Sequence, residues 1–146
     1  MQKGGEGLGE STQFDRQALL DAACARAGLT DYGDSWFLEP MDRYLAAANA
    51  EAQLTPDGFA AQTEVIVKGL VSRLRMIGDI RRHPEILDEK AEVAGLILGL
   101  PRTGSTIFHR LLASAPGMTA IRWFEAQNYA PFPGEQPGDP AERRAY

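Results

Sequence analysis

The chain has 146 residues, of which 44% are hydrophobic and 24% are charged, as expected for one modest globular domain. Its net charge of −5 argues against a broad electrostatic surface for nucleic acid or for an anionic membrane, although a local group of arginines can still bind one anion. One cysteine and two histidines are too few for an internal disulfide or a metal cluster, so we expect no metal.

The N-terminal segment 1–13 is rich in glycine and has neither the apolar core of a secretory leader nor an arginine-rich amphipathic pattern. We therefore expect a flexible lead on a cytoplasmic protein. The longest mainly apolar run, residues 93–100, is far shorter than the ~20 residues that cross a bilayer. No membrane span is expected.

Residues 14–90 have the pattern of a helical N-terminal region. Apolar residues recur at steps of three and four up to Ala27, and Gly28 is expected to end that first helix. Asp34 or Ser35 is the expected cap of a second helix.

A third helix has the clearest start in the chain. Thr55 is suited to accept from its first free amides, and Pro56 suits the first helical position. An apolar stripe then continues for some six turns, and His83-Pro84 is expected to end the helix. A turn or short helix should follow over 84–90.

The amphipathic helical pattern of the chain gives way at residues 92–100 to a mainly apolar run, EVAGLILGL, which is uncharged after its first residue. This pattern favours a central strand of a parallel sheet, with a short buried helix as the alternative. Residues 105–114 then have the pattern of a helix, and the members of its expected buried face are Ile107, Phe108, Leu111 and Leu112.

These elements predict an α/β fold, with a P-loop-type strand–loop–helix unit preceded by a helical region. A lone parallel strand is not a stable sheet, because its partners come from further βα units. We therefore expect residues 91–146 to be the start of an incomplete three-layer parallel-sheet domain, so that the chain represents the front part of a larger protein.

The loop GLPRTGST (99–106) joins the expected strand to the expected helix. Its glycines have the spacing of a phosphate-binding loop, but Ser105 stands where nucleoside triphosphatases have lysine. In such a loop, backbone N–H groups and the positive end of the helix dipole point at one bound phosphate. Gly104 would let the phosphate approach the backbone closely. The Ser105 and Thr106 hydroxyls would donate further hydrogen bonds, and Arg102 would supply a permanent positive charge. The pattern favours one phosphate group over a complete ATP site, and a plain turn is the alternative.

The string LGLPRTGSTIFHRLL (98–112) resembles the 5′-phosphosulfate-binding loop of sulfotransferases, especially the bacterial-type branch with Pro-Arg-Thr-Gly-Thr-Thr. Softer similarities to that branch occur at GDSWFLEP (33–40), RRHPEI (81–86) and Trp123-Phe124-Glu125. Together they extend over most of residues 14–126.

The resemblance implies transfer of a sulfuryl group from 3′-phosphoadenosine-5′-phosphosulfate (PAPS) to the hydroxyl or amine of a small-molecule acceptor, without a metal. It gives Arg102 the place of the loop's catalytic cation, and the residues that would hold the 5′-phosphate are Arg102, Thr103, Gly104, Ser105 and Thr106. Glu125 is the candidate base by similarity of spacing, and a capping or ion-paired carboxylate near Arg122 is its alternative. We interpret His109 as a packing or hydrogen-bonding residue.

The elements that hold the donor's 3′-phosphate in the family, and most of the acceptor pocket, have no counterpart in the sequence. We therefore expect little or no turnover from this chain alone. A P-loop nucleotide kinase-like enzyme is a second hypothesis, disfavoured by Ser105. A non-catalytic truncated remnant or helical interaction module is a third, favoured by the short chain. The acceptor class, whether alcohol, sterol, lipid or amine, and the oligomeric state are left open by these patterns.

Overall fold

The computed structural model of the chain describes residues 13–90, 92–100, 102–136 and 144. The expected flexible lead 1–13 therefore lies, apart from Gln13, outside the described residues. The chain divides into two compact units, Met1–Asp79 and Ile80–Tyr146.

The first unit is built from helices. They are α1 (Arg16–Ala27), α2 (Leu38–Glu51) and α3 (Pro56–Arg82), with a 3₁₀ turn at Ser35–Phe37 before α2. All three helices were predicted from the sequence, and the expected end of α3 before His83-Pro84 is confirmed.

Local side-chain chemistry fixes the helix ends. The Asp15 carboxylate accepts a 2.8 Å hydrogen bond from the Ala18 amide at the start of α1, and Gly28 ends that helix in the left-handed conformation. Thr55 Oγ1 accepts from the Gly58 amide over 3.1 Å at the start of α3. The predictions for Gly28 and Thr55 are confirmed. The prediction of Asp34 or Ser35 as the cap of α2 is wrong, because α2 follows Phe37 without a side-chain cap and Asp34 makes no capping hydrogen bond before the 3₁₀ turn.

The core of the first unit lies where the apolar stripes of the three helices meet. Its buried members are Phe14, Leu19, Ala23, Leu45, Val67, Leu70, Val71 and Leu74. The Phe14 and Phe59 rings stack with their centres 4.5 Å apart. Burial of each large aliphatic side chain contributes about 1.5–3 kcal/mol, so this cluster is the main source of stability in the unit.

Arg73 of α3 holds the segment between α1 and α2. Its Nε donates to the Tyr32 carbonyl over 2.9 Å, and a terminal guanidinium nitrogen donates to the Asp34 carbonyl over 3.0 Å. The guanidinium carbon lies 4.2 Å from the centre of the Phe37 ring, within the range of a cation–π interaction.

The described part of the second unit includes a 3₁₀ helix at Pro84–Asp88 and the short helices α4 (Ser105–Ala113) and α5 (Trp123–Gln127). The predicted helix over 105–114 and the predicted short helix or turn over 84–90 are therefore confirmed as elements of secondary structure. Ala130 and Asn128 are buried.

The parallel-sheet interpretation is wrong for this structure. Residues 92–100 form neither strand nor helix, and the described residues contain no β-sheet. Leu96 and Leu98, expected in the interior of a sheet, are 80% and 84% exposed. The physical reason is that a strand needs the backbone of a neighbour for its hydrogen bonds, and no described segment pairs with this one in that way.

The expected buried face of α4 is also wrong. Ile107, Phe108 and Leu111 are more than half exposed, and Leu112 also has an exposed side chain. The spacing of these residues describes an amphipathic helix, but burial requires a surface to pack against. The described residues place none over this face.

Candidate functional site

The turn before α4 has an unusual backbone. Arg102 has a φ of 71° and Gly104 a φ of 83°, both in the left-handed region. Glycine adopts this conformation freely, whereas for arginine it costs roughly 1 kcal/mol. Thr103 Oγ1 donates to the Leu100 carbonyl over 2.7 Å, which closes the turn.

The N-terminus of α4 has free hydrogen-bonding capacity. The amides of Ile107 and Phe108 both donate to the Gly104 carbonyl over 3.1 Å. The amides before them, of Ser105 and Thr106, have no acceptor inside the helix, and no described side chain caps this end. These N–H groups and the positive end of the helix dipole favour an anion at this point.

A cleft of about 810 Å³ lies beside α4 in the second unit. Its polar and charged lining residues are Ser105, Thr106, His109, Arg110, Thr119 and Arg122. Its apolar lining residues are Ile97, Ala113, Met118, Ala120, Ile121, Trp123 and Ala126. The cleft therefore combines loop hydroxyls and cations with an apolar wall.

The structure brings only some of the sequence-predicted site residues to this cleft. Ser105 and Thr106 line it, whereas Arg102, Thr103 and Glu125 are not among its lining residues. Arg102 is exposed in the turn that precedes α4.

Sequence reasoning missed Arg110 and Arg122 as cleft residues and gave His109 a packing role. Helical spacing contains the needed information for two of them, because Ser105 and His109, and likewise Thr106 and Arg110, are four residues apart and share a face of α4. Arg122 lies outside α4, and its place in the cleft depends on tertiary structure.

Glu125 lies in the first turn of α5. Its Oε2 accepts a hydrogen bond from the Arg122 amide over 2.7 Å, at the N-terminus of that helix. This is the capping role given as the alternative from sequence. The role as a base is independent of that contact and stays a prediction.

The described residues contain neither a metal-binding cluster nor a helix that could span a membrane. No group of three or more His, Cys, Asp and Glu side chains there is arranged to hold a metal ion. None of the helices in the described part of the chain has the length and apolarity needed to span a membrane.

Comparisons with known proteins place this geometry in context. No protein-family model matches the chain, and no curated protein matches it. Among solved structures, the sulfotransferase STF1 from Mycobacterium tuberculosis H37Rv is similar, with 29% sequence identity, a TM-score of 0.75 and 82% of this chain covered. The chain spans 33% of the length of that protein. The likeness supports a sulfotransferase-like fold, as the loop resemblance implied.

Proposed function

We propose that the chain provides the donor-binding part of a PAPS-dependent sulfotransferase, acting on the hydroxyl or amine of a small-molecule acceptor. The observation that carries the proposal is the structural likeness to a mycobacterial sulfotransferase over 82% of the chain. The uncapped N-terminus of α4 adds a local site of suitable chemistry.

The residues at the start of α4 suit one phosphate group. The Ser105 and Thr106 amides and hydroxyls supply up to four donors, and Gly104 leaves room for an anion beside the backbone. The 5′ side of PAPS carries a single phosphate joined to sulfate, so a lysine bridging two further phosphates is not needed. Ser105 in the lysine position accordingly favours PAPS over ATP.

Arg102 is the proposed catalytic cation. Its side chain is exposed and makes no hydrogen bond or ion pair with another described residue, so its five donors are available to a ligand. In the transfer, the acceptor oxygen or nitrogen bonds to sulfur while the bond between sulfur and the bridging oxygen breaks, releasing adenosine 3′,5′-bisphosphate. Arg102 would stabilise the negative charge that collects on that leaving oxygen.

Glu125 is the proposed base that takes the proton from the acceptor. A carboxylate in hydrogen-bonding reach of an acceptor hydroxyl contributes typically 10²–10⁴-fold to such a transfer. The apolar residues of the cleft, including Ile121 and Trp123, provide a surface for an acceptor with an alcohol, sterol, lipid or amine framework.

Nucleotide titrations of the ¹⁵N-labelled chain test donor binding. We expect adenosine 3′,5′-bisphosphate and 5′-AMP to shift the amide resonances of Gly104, Ser105 and Thr106, because both carry a 5′-phosphate. The isomer 3′-AMP is the matched control and should leave these resonances unchanged.

Two results contradict the proposal. Absence of shifts with every nucleotide would favour the non-catalytic interaction module. Tighter binding of Mg-ATP than of adenosine 3′,5′-bisphosphate would favour the kinase-like hypothesis. Incubation with PAPS and a phenolic acceptor measures whether the chain alone has turnover, which the sequence predicts to be little or none.

A further inference from the structure

Arg73 uses only part of its hydrogen-bonding capacity in holding the segment between α1 and α2. An arginine side chain has five N–H donors. In Arg73, one on Nε and one on a terminal nitrogen donate to the Tyr32 and Asp34 carbonyls. The remaining N–H groups make no hydrogen bond or ion pair with another described residue. In the described part of the chain, no carboxylate therefore pairs with this half-buried cation.

Two aromatic rings lie next to the Arg73 guanidinium. Its central carbon is 4.2 Å from the centre of the Phe37 ring and 5.1 Å from the centre of the Trp36 ring, both within the range of a cation–π interaction. Phe37 is half-buried, and its ring centre lies 5.6 Å from that of Tyr32. Trp36, by contrast, is 69% exposed, and its indole N–H donates to no described residue. The cation thus has an accessible aromatic ring beside it.

Contacts with two helices hold the segment in place. The Tyr32 hydroxyl donates to the Leu20 carbonyl of α1 over 2.8 Å, and Arg73 of α3 binds the carbonyls on either side of Gly33. Gly33 has a φ of 69°, and a Cβ there would lie 2.8 Å from Cδ1 of Ile77. The backbone therefore packs directly on α3. A ligand at this point would meet groups that are already ordered, which lowers the entropic cost of binding.

We infer that Arg73 and Trp36 form a binding site for a small aromatic anion, such as an aryl carboxylate, sulfonate or sulfate ester. The free N–H groups of Arg73 donate to oxygens of the anionic group, and the Trp36 ring stacks on the aromatic ring of the ligand. The site uses only residues of the first unit and does not depend on the proposed function.

Titration of the ¹⁵N-labelled chain with benzenesulfonate tests the site. We expect the indole N–H of Trp36 and the Nε–H of Arg73 to shift together and to reach a plateau, because the ligand contacts both side chains. Methyl phenyl sulfone keeps the ring without the charge, and methanesulfonate keeps the charge without the ring. Each should bind at least about fivefold more weakly, since each makes only one of the two contacts.

Substitutions separate the contributions of the ring and of the charge. Trp36→Ala removes the ring and should weaken benzenesulfonate binding, followed at the Arg73 Nε–H, by at least about fivefold. Arg73→Lys keeps the charge without the planar fork and should also weaken binding, followed at the Trp36 indole. Circular dichroism of each variant controls for folding.

The charge of Asp34 provides a variant that should strengthen binding. Asp34→Asn keeps the carbonyl that Arg73 binds and removes a negative charge from the same segment, so affinity for benzenesulfonate should rise about two- to threefold. Asp57→Asn, about 24 Å away along α3, is the matched control for loss of one charge and should leave affinity unchanged.

Four outcomes overturn the inference. The first is the absence of saturable shifts at Trp36 and Arg73 with benzenesulfonate. The second is equal binding of either control compound, which would reduce the contact to the ring or to the charge alone. The third is native affinity in Trp36→Ala. The fourth is an equal effect of Asp34→Asn and Asp57→Asn, which would mean that the anion does not lie beside Arg73.

Discussion

The amide of Arg122 donates to Oε2 of Glu125 over 2.7 Å, and this contact closes the first turn of α5. The same carboxylate is the proposed base, so the residue has one observed and one proposed task. Glu125→Gln keeps an oxygen that can accept from the amide, whereas Glu125→Ala removes it. We expect Glu125→Ala to destabilise α5 by about 1 kcal/mol and Glu125→Gln by a few tenths. Amide hydrogen exchange over residues 123–127 measures both.

The base role is tested by the glutamine variant alone. Glu125→Gln retains the cap but cannot take a proton from the acceptor. Because little or no turnover is expected from this chain alone, the sulfuryl-transfer assay with PAPS uses a longer, active protein that contains it, and the rate of the glutamine variant should fall by about 100-fold or more relative to the native residue. Equal rates for the two proteins would leave Glu125 with its capping role only.

Arg102 is predicted to combine backbone strain with anion binding. Because its φ of 71° suits glycine better, Arg102→Gly should stabilise the turn by up to about 1 kcal/mol while removing the cation. Arg102→Lys keeps the charge and the strain but loses the planar fork. We expect the dissociation constant for adenosine 3′,5′-bisphosphate, measured by titration calorimetry, to rise in the order native, lysine, glycine. Native affinity in the glycine variant would contradict a role for Arg102 in binding the donor.

The sequence predicts the first unit well because its information is local. Gly28 ends α1 and Thr55 caps α3 through contacts within a few residues, and the apolar stripe through Leu74 follows helical spacing. Each of these features is decided by the helix that contains it.

The predictions fail where the outcome depends on distant residues. Leu98 lies in an uncharged apolar run that predicts a strand, but it is exposed. A strand needs hydrogen bonds to a neighbouring backbone, and the described chain does not supply one. Phe108 likewise lies on the apolar face of α4, and the described residues leave it more than half exposed. At the site, the order of residues predicts the Ser105 and Thr106 donors, but the position of Arg122 in the cleft requires the fold.

Ser72 is predicted to be a site at which stability increases. It is 3% exposed on α3, and its hydroxyl has no hydrogen-bond partner among the described residues. Ser72→Ala removes the unsatisfied group and improves helix propensity, so the free energy of unfolding should rise by up to about 1 kcal/mol. Urea denaturation followed by helical circular dichroism measures this. Leu74→Ala, two residues away, is the control and should lower stability by about 2–5 kcal/mol. A loss of stability in Ser72→Ala would show that the hydroxyl has a partner.

The ion pair between Arg26 and Glu64 predicts a pH-dependent contribution to stability. An Arg26 guanidinium nitrogen lies 2.9 Å from Glu64 Oε1, and its hydrogen bond lowers the pKa of the Glu64 carboxyl. A carboxyl with a lowered pKa in the folded state stabilises the fold above its ordinary pKa. That contribution is lost as the pH falls through the lowered value. Because both side chains are more than one-third exposed, the contribution near neutral pH should be below about 1 kcal/mol.

Comparison of the native chain with Glu64→Gln tests this contribution. The difference in free energy of unfolding should be present at neutral pH and should vanish in strong acid, where the carboxyl is protonated in both folded and unfolded states. Arg26→Met should show the same dependence on pH, since it removes the other partner. Glu39→Gln, in the more exposed pair with Arg43, is the matched control for loss of a surface charge and should change neutral-pH stability less. If the free energy of unfolding of Glu64→Gln differed from that of the native chain by the same amount from neutral to acid pH, the effect of the substitution would come from packing and not from the ion pair.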